Sequence, residues 1–128
     1  MKLNLEMVSN ANQIQSYGDN HIVVRLKEQM GLCEYDSNIV LTADNVYHDI
    51  ELDNVENISA ESMNALKALD PEVIIFATGS GFSPPMQSLV NKFNKLAIGA
   101  EFMSLGSACR TYNLLINELR RVVFVKLN

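Results

Sequence analysis

Two rhythms of apolar positions divide the chain, a period of two in the first half and a mixture of unbroken apolar runs with helical spacing in the second. Residues 22–26 (Ile-Val-Val-Arg-Leu) are rich in β-branched side chains, and residues 38–42 and 46–52 flank Ala43-Asp44-Asn45. That pattern predicts one strand and a hairpin with turn-prone Asp and Asn at its tip. In the second hairpin arm Val46, His48, Ile50 and Leu52 share one face, which places His48 among apolar neighbours as a structural histidine. Ser59 is positioned to cap a helix reaching about Leu69, with Met63, Leu66 and Leu69 on one side and Asp70-Pro71 ending it.

Beyond residue 72 the rhythm changes. Residues 73–77 (Val-Ile-Ile-Phe-Ala) are uninterruptedly apolar, as in a strand buried on both faces. Ser83 and Pro84 begin a helix in which Met86, Leu89, Val90, Phe93, Leu96 and Ala97 recur at helical spacing, stopped by Gly99. A short strand at 101–103, a helix over about 106–120 and a last strand at 122–127 complete a β-α-β-α-β order. The expected fold is a single α/β domain over 1–128, with helices packed on a mixed, mostly parallel sheet and an additional antiparallel N-terminal β region.

Composition narrows the class. The chain has 128 residues, 48% hydrophobic and 20% charged, enough to bury one core without staples and too apolar for disorder. No run approaches the roughly 20 apolar residues of a membrane helix, and the first residues lack a signal-peptide core, so a cytoplasmic location without membrane insertion is expected. The net charge of −5 conceals a division: residues 1–72 hold 4 basic and 13 acidic side chains, residues 73–128 hold 6 and 2. The expectation is that the halves complement each other within one fold. Scattered positive charge without an aromatic RNA-binding motif argues against nucleic acid. Cys33 and Cys109 form no CxxC and have only His21 and His48 to help them, so no metal, cofactor or disulfide is expected. His21, beside Asp19 and Asn20, reads as a solvated loop residue.

Two strand-to-helix loops lie where open α/β sheets commonly hold ligands. In residues 78–83, Gly79, Ser80 and Gly81 permit close backbone approach to a small anion, although Pro84 replaces the last glycine of a GxGxxG pattern and removes an N–H. Ser104, Leu105, Gly106 and Ser107 lead into the last helix. On that helix Ala108, Tyr112, Leu115 and Leu119 form one apolar stripe, with Cys109, Asn113, Ile116 and Arg120 beside it. Cys109 is the one weak catalytic candidate, since a helix start and Arg110 both favour a thiolate, but no base accompanies it and a packed structural thiol is the stronger expectation. Arg110, Asn117 and Arg121 cluster outward around Leu114, an exposed leucine flanked by arginines that marks a partner surface, and Glu118 is placed to pair with Arg121.

The motifs in residues 72–127 resemble those of a known family. Ala77-Thr78-Gly79 stands where the family has Gly-Thr-Gly after an apolar strand. Gly99-Ala100-Glu101-Phe102-Met103 matches Gly-x-Glu-x-Met, residues 108–113 match Ala-x-Arg-Thr-Tyr-Asn, and residues 118–122 match a Glu-x-Arg-x-Val ending. Ser104 stands where an Asp is usual, and Leu119 where a glycine is. The family is a small α/β group of largely undefined activity that includes mitochondrial NADH dehydrogenase (complex I) assembly factor 3 and an adipogenesis-associated domain protein. The resemblance implies this fold, a small pocket by the two loops and, for the mitochondrial relatives, a role in protein assembly. Without a transit peptide, the chain resembles a bacterial cytosolic relative.

Three functions follow as expectations. The first is a non-enzymatic protein-interaction or assembly-factor module acting on a protein partner. The second is a small enzyme or sensor that binds an anionic metabolite between Gly79, Ser80, Gly81 and Ser104, Ser107, with Cys109, Arg110 or Asn113 contributing. The third is a homodimeric scaffold pairing through the edge of the first-half hairpin.

Overall fold

The computed structural model describes residues 10–52, 58–78 and 83–127. Its elements run β1 (Gln13–Tyr17), β2 (Ile22–Arg25), β3 (Leu32–Tyr35), β4 (Ile39–Leu41), β5 (Val46–Tyr47), α1 (Ala60–Ala68), β6 (Val73–Ala77), α2 (Pro84–Asn94), β7 (Gly99–Met103), α3 (Leu105–Asn117) and β8 (Val122–Lys126). They form a three-stranded sheet in the order β1-β2-β3 and a five-stranded sheet in the order β5-β4-β8-β6-β7. The small sheet is antiparallel throughout. In the large sheet β6 runs parallel to both β7 and β8, and only β4 opposes them. This is the mixed, mostly parallel sheet with an antiparallel N-terminal region that the residue pattern predicts.

The apolar run in β6 divides between two cores, because successive strand residues point to opposite faces. Ile75 and Ala77 join Ile39, Leu41 and Phe124 under α3 and the small sheet. Ile74 and Phe76 join Val40, Val123 and Val125 against α1 and α2, where Leu66, Leu89 and Phe93 are buried. α3 sends Ala108, Cys109, Tyr112 and Ile116 into the first core. The small sheet adds Ile14, Ile22 and Val24 to that core.

Three details depart from the sequence reading. The second hairpin arm is strand only at Val46–Tyr47, paired with Leu41 and Val40 of β4. His48 is therefore exposed, tilted against the Tyr35 ring with centroids 5.6 Å apart, and not on an apolar face. α2 ends at Asn94, and Gly99 opens β7 instead of stopping the helix. The stop is made by Ala97 at φ 64°, with Ala97 N–H donating to Asn94 O at 3.0 Å and Ile98 N–H to Phe93 O at 3.0 Å. That is a Schellman ending, in which the left-handed residue is usually glycine.

α3 ends in the same manner. Leu119, at φ 62°, donates to Ile116 O at 3.0 Å, and Arg120 N–H donates to Leu115 O at 2.9 Å. Leu119 thus leaves the predicted apolar stripe and stands 91% exposed, while Ile116 and Cys109 take its place in the core. The third helix, α1, closes on Asp70 at φ 56° before Pro71. At its start Ser59 caps through its hydroxyl, which accepts from Ser62 N–H at 3.0 Å. Ser83 holds the corresponding position of α2 without a side-chain capping bond.

Candidate functional site

The helix α3 carries most of the sequence-singled residues, and its surroundings show what each does. Tyr112 is fully buried, packs edge-on to Phe124 with centroids 5.7 Å apart, and donates its hydroxyl to Asn12 O at 2.9 Å. Burial raises its pKa well above the usual phenol value. One residue on, Asn113 presents its amide to β1 as a neighbouring strand would. Its Oδ1 accepts from Ile14 N–H at 2.9 Å and its Nδ2 donates to Ile14 O at 2.8 Å.

Further along the same side, Asn117 Oδ1 accepts from Gln13 Nε2 at 3.3 Å. Nearer the helix start, Arg110 donates to the Tyr17 hydroxyl at 2.9 Å and to Ser107 Oγ at 3.4 Å. The Tyr17 ring lies over Gly106, where an added Cβ would come within 2.7 Å of the phenol oxygen. Arg110, Asn113 and Asn117 therefore form a polar seam that ties α3 to β1.

The predicted outward cluster of Arg110, Asn117 and Arg121 does not assemble. Arg121 turns to the α1–β6 connection, where its Nε donates to Asp70 O at 3.0 Å and its guanidinium lies 3.6 Å from Asp70 Oδ2 and 3.8 Å from Glu72 Oε2. Arg120 pairs with Glu72, and that hydrogen bond holds the Glu72 carboxyl below its usual pKa. These pairs also join the acidic first half to the basic second half. Leu114 remains at the centre of the outward face, 58% exposed.

Cys109 is 2% exposed beneath α3. Its pKa is pushed up to about 12 by burial, against which Arg110 and Lys126 act in the opposite direction. The helix start and Arg110 thus fail to produce a thiolate, because desolvation outweighs both. Ser104 is the N-cap residue of α3, exposed and without a side-chain capping bond. Gly79, Ser80 and Gly81 lie outside the described residues. At that end of the sheet, Lys126 is buried and donates from Nζ to Ser37 O at 3.1 Å. Burial lowers its pKa, which Asp36 and Cys109 partly restore.

Two features escape the sequence reading. Asn12, 2% exposed, donates from Nδ2 to Thr42 O at 3.0 Å and Asn45 O at 3.4 Å, accepts from Lys27 N–H at 2.7 Å on Oδ1, and donates its own N–H to Ala43 O at 2.8 Å. It joins the small sheet to the β4–β5 tip, and no periodicity distinguishes it from any other Asn before a strand. The second is a cleft of about 590 Å³ at the end of the large sheet where β8 begins, bounded by the β4–β5 tip, the end of α1 and the end of α3. The Ser104–Ser107 loop singled out from sequence lies at the opposite end of the strands. His48 and Tyr35 instead line a separate cleft beside the Lys27–Asp44 pair, whose atoms are 2.7 Å apart.

Fold and motifs together define a single-domain α/β protein whose signature helix clamps an N-terminal strand. Residues 14–126 match the family described as protein of unknown function DUF498/DUF598, and the chain belongs to that family. It is 33% identical over 95 residues to the 13 kDa major membrane protein of Francisella tularensis subsp. holarctica (strain LVS), covering 73% of this chain and 76% of the relative. A protein of Xanthomonas campestris solved by NMR superposes with a TM-score of 0.72 at 27% identity, over 98% of this chain and 90% of that one. A Bordetella pertussis protein described as a Mth938-like domain superposes with a TM-score of 0.67 at 24% identity, over 99% and 92% of the two chains, and shares the fold. No helix among the described residues is long and apolar enough to cross a membrane.

Proposed function

We propose that this domain is a non-enzymatic protein-interaction module whose contact surface centres on Leu114 of α3. The observation that carries the reading is Leu114 itself, a large apolar side chain 58% exposed in the middle of a rigidly anchored helix. One turn before it stands Arg110, held by Tyr17 and Ser107, and Tyr17 is itself 45% exposed. An exposed leucine beside a fixed arginine and tyrosine has the composition of interface cores, where aromatic residues and Arg are enriched. Because α3 is tied to β1 on one side and packed on the large sheet on the other, the patch is presented with little ordering cost.

A role in assembling a larger complex and a cytoplasmic site of action belong to the same proposal. A membrane-bound partner is compatible with the name of the Francisella relative. The test compares affinity capture from the native host by wild type and by Leu114→Asp, with circular dichroism and thermal melts showing that the variant is folded. The expected result is a reproducible partner lost by Leu114→Asp and weakened by Arg110→Ala. Recovery of the same proteins by both folded variants at wild-type levels would sink the proposal.

A further inference from the structure

The cleft at the start of β8 is separate from the Ser104–Ser107 loop and from the Leu114 face. Its volume, about 590 Å³, falls within the roughly 300–1,000 Å³ of small-molecule sites. The floor is apolar, formed by Leu69, Pro71, Ile116 and Val122, of which Pro71, Ile116 and Val122 are buried. Three separate elements wall it: the β4–β5 tip, the end of α1 and the end of α3.

The mouth differs in kind from the floor. Arg120 and Arg121 both line it, but they are not equally engaged. Arg120 is hydrogen-bonded to Glu72. Arg121 donates from Nε to Asp70 O at 3.0 Å, and its contacts with the Asp70 and Glu72 carboxylates, at 3.6 and 3.8 Å, are ion pairs longer than hydrogen bonds, with which a closer, two-pronged ligand carboxylate would compete. Asp44, the acidic residue on the facing rim, has its charge balanced by Lys27 at 2.7 Å.

Leu119 supplies the third observation. It lines the same mouth, 91% exposed, in a left-handed conformation that costs a leucine free energy and a glycine almost none. As a plain helix ending the position would favour glycine. A leucine there places an otherwise unused apolar side chain at the entrance to an apolar pocket.

We infer that the cleft is a binding site for a small amphipathic carboxylate, a medium-chain fatty acid in its simplest form. The chain lies on Leu69, Pro71, Ile116 and Val122, the carboxylate sits on the Arg121 guanidinium, and Leu119 covers the exposed part of the chain. A purely polar ligand would leave the floor in contact with water or with unmatched polar groups, and a neutral hydrocarbon would make no use of Arg121.

Decanoate and decanol, titrated into the full chain and followed by amide chemical shifts and calorimetry, separate the parts of the inference. Decanoate is expected to bind, to shift the amides of Ala43, Leu69 and Val122, and to bind more tightly than decanol. Arg121→Gln should weaken decanoate by about tenfold or more, the worth of a charge-assisted hydrogen bond, while leaving decanol nearly unchanged. Arg121→Lys, which keeps the charge without the fork, should fall between, and Leu119→Gly should weaken both ligands. No binding of decanoate at millimolar concentration overturns the inference, as do shifts confined to other surfaces or equal affinity for acid and alcohol in both wild type and the folded Arg121→Gln variant. The Leu114 surface plays no part in this test, so the two readings stand or fall separately.

Discussion

The two sheets are held in the molecule by different physics. The large sheet buries both faces, with Ile75 and Phe124 pointing one way and Phe76 and Val125 the other, and is fixed by apolar packing against helices on each side. The small sheet buries Ile14, Ile22 and Val24 in the core, packs half-buried Tyr35 against it, and leaves Leu32 and Glu34 on its outer strand exposed. It is located by directional bonds: the paired amide of Asn113 on Ile14, Tyr112 on Asn12, and Asn12 on the β4–β5 tip. Apolar packing is tolerant of substitution by similar volumes, whereas a buried polar seam costs the full desolvation of whichever partner is left unmatched.

The most damaging change should strike the large sheet. Phe93→Ala removes a fully buried ring that packs on Phe76 with centroids 6.2 Å apart, and a loss of about 3–5 kcal/mol is expected from urea denaturation. Hydrogen exchange should accelerate in both sheets together, because this is loss of global stability. Retained protection in either sheet would show that the two are less coupled than their shared contact with α3 implies.

Asn113→Ala should cost about 2–3 kcal/mol, since it leaves Ile14 N–H and C=O without the partners they now have. Here the pattern of loss is the stronger test. Protection of β1 and β2 amides should fall well before that of β6 and β8. Uniform loss across both sheets would erase the distinction drawn between seam and core.

Much of this architecture can be read in the sequence, and the failures share a cause. The β6, α2 and β8 assignments rest on long apolar runs or sustained helical spacing, which depend on local sequence alone. The strands β1 and β3 have no such signal: Gln13–Tyr17 contains one buried residue, and Leu32–Tyr35 none. The edge of β1 is completed by a side chain about a hundred residues distant, Asn113 on Ile14. The same holds for the candidate sites. Exposure of Leu114 follows from its helical phase, but Arg121 turns away from that face because Asp70 and Glu72 wait beyond the helix end. The cleft is bounded by three elements distant in sequence, and the endings of α2 and α3 are hidden because Ala97 and Leu119 occupy left-handed positions that normally announce themselves as glycine, whereas Asp70-Pro71 marks the end of α1 in the sequence itself.

Replacing those residues turns the comparison from loss to gain. Leu119→Gly should stabilise the fold by about 1 kcal/mol by relieving the left-handed backbone of a side chain that is 91% exposed and buries little. Ala97→Gly should do the same by a smaller amount, offset by the greater freedom glycine has when unfolded. If Leu119→Gly instead destabilises, the leucine is packing on the cleft more firmly than its exposure indicates.

The smallest effect concerns Cys109, and it decides whether the signature helix retains any claim on thiol chemistry. With its pKa raised from 9.0 to about 12, the buried thiol favours the folded state fully below pH 9, and that contribution disappears as pH rises through the folded value. Tyr112, raised by burial above 10.0, acts in the same direction. Lys126 acts oppositely, since a lowered folded pKa makes stability rise with pH up to its ordinary value of 10.5. Cys109→Ala should therefore flatten the alkaline loss of stability between pH 9 and 10.5 by about 1 kcal/mol, and Lys126→Met should steepen it. Thiol labelling at pH 7.5 gives the direct reading: half-buried Cys33 should react, and Cys109 only on unfolding. Comparable rates at the two cysteines would mean that α3 opens to expose an activated thiol, and the catalytic reading of the motif would return in place of the packing one.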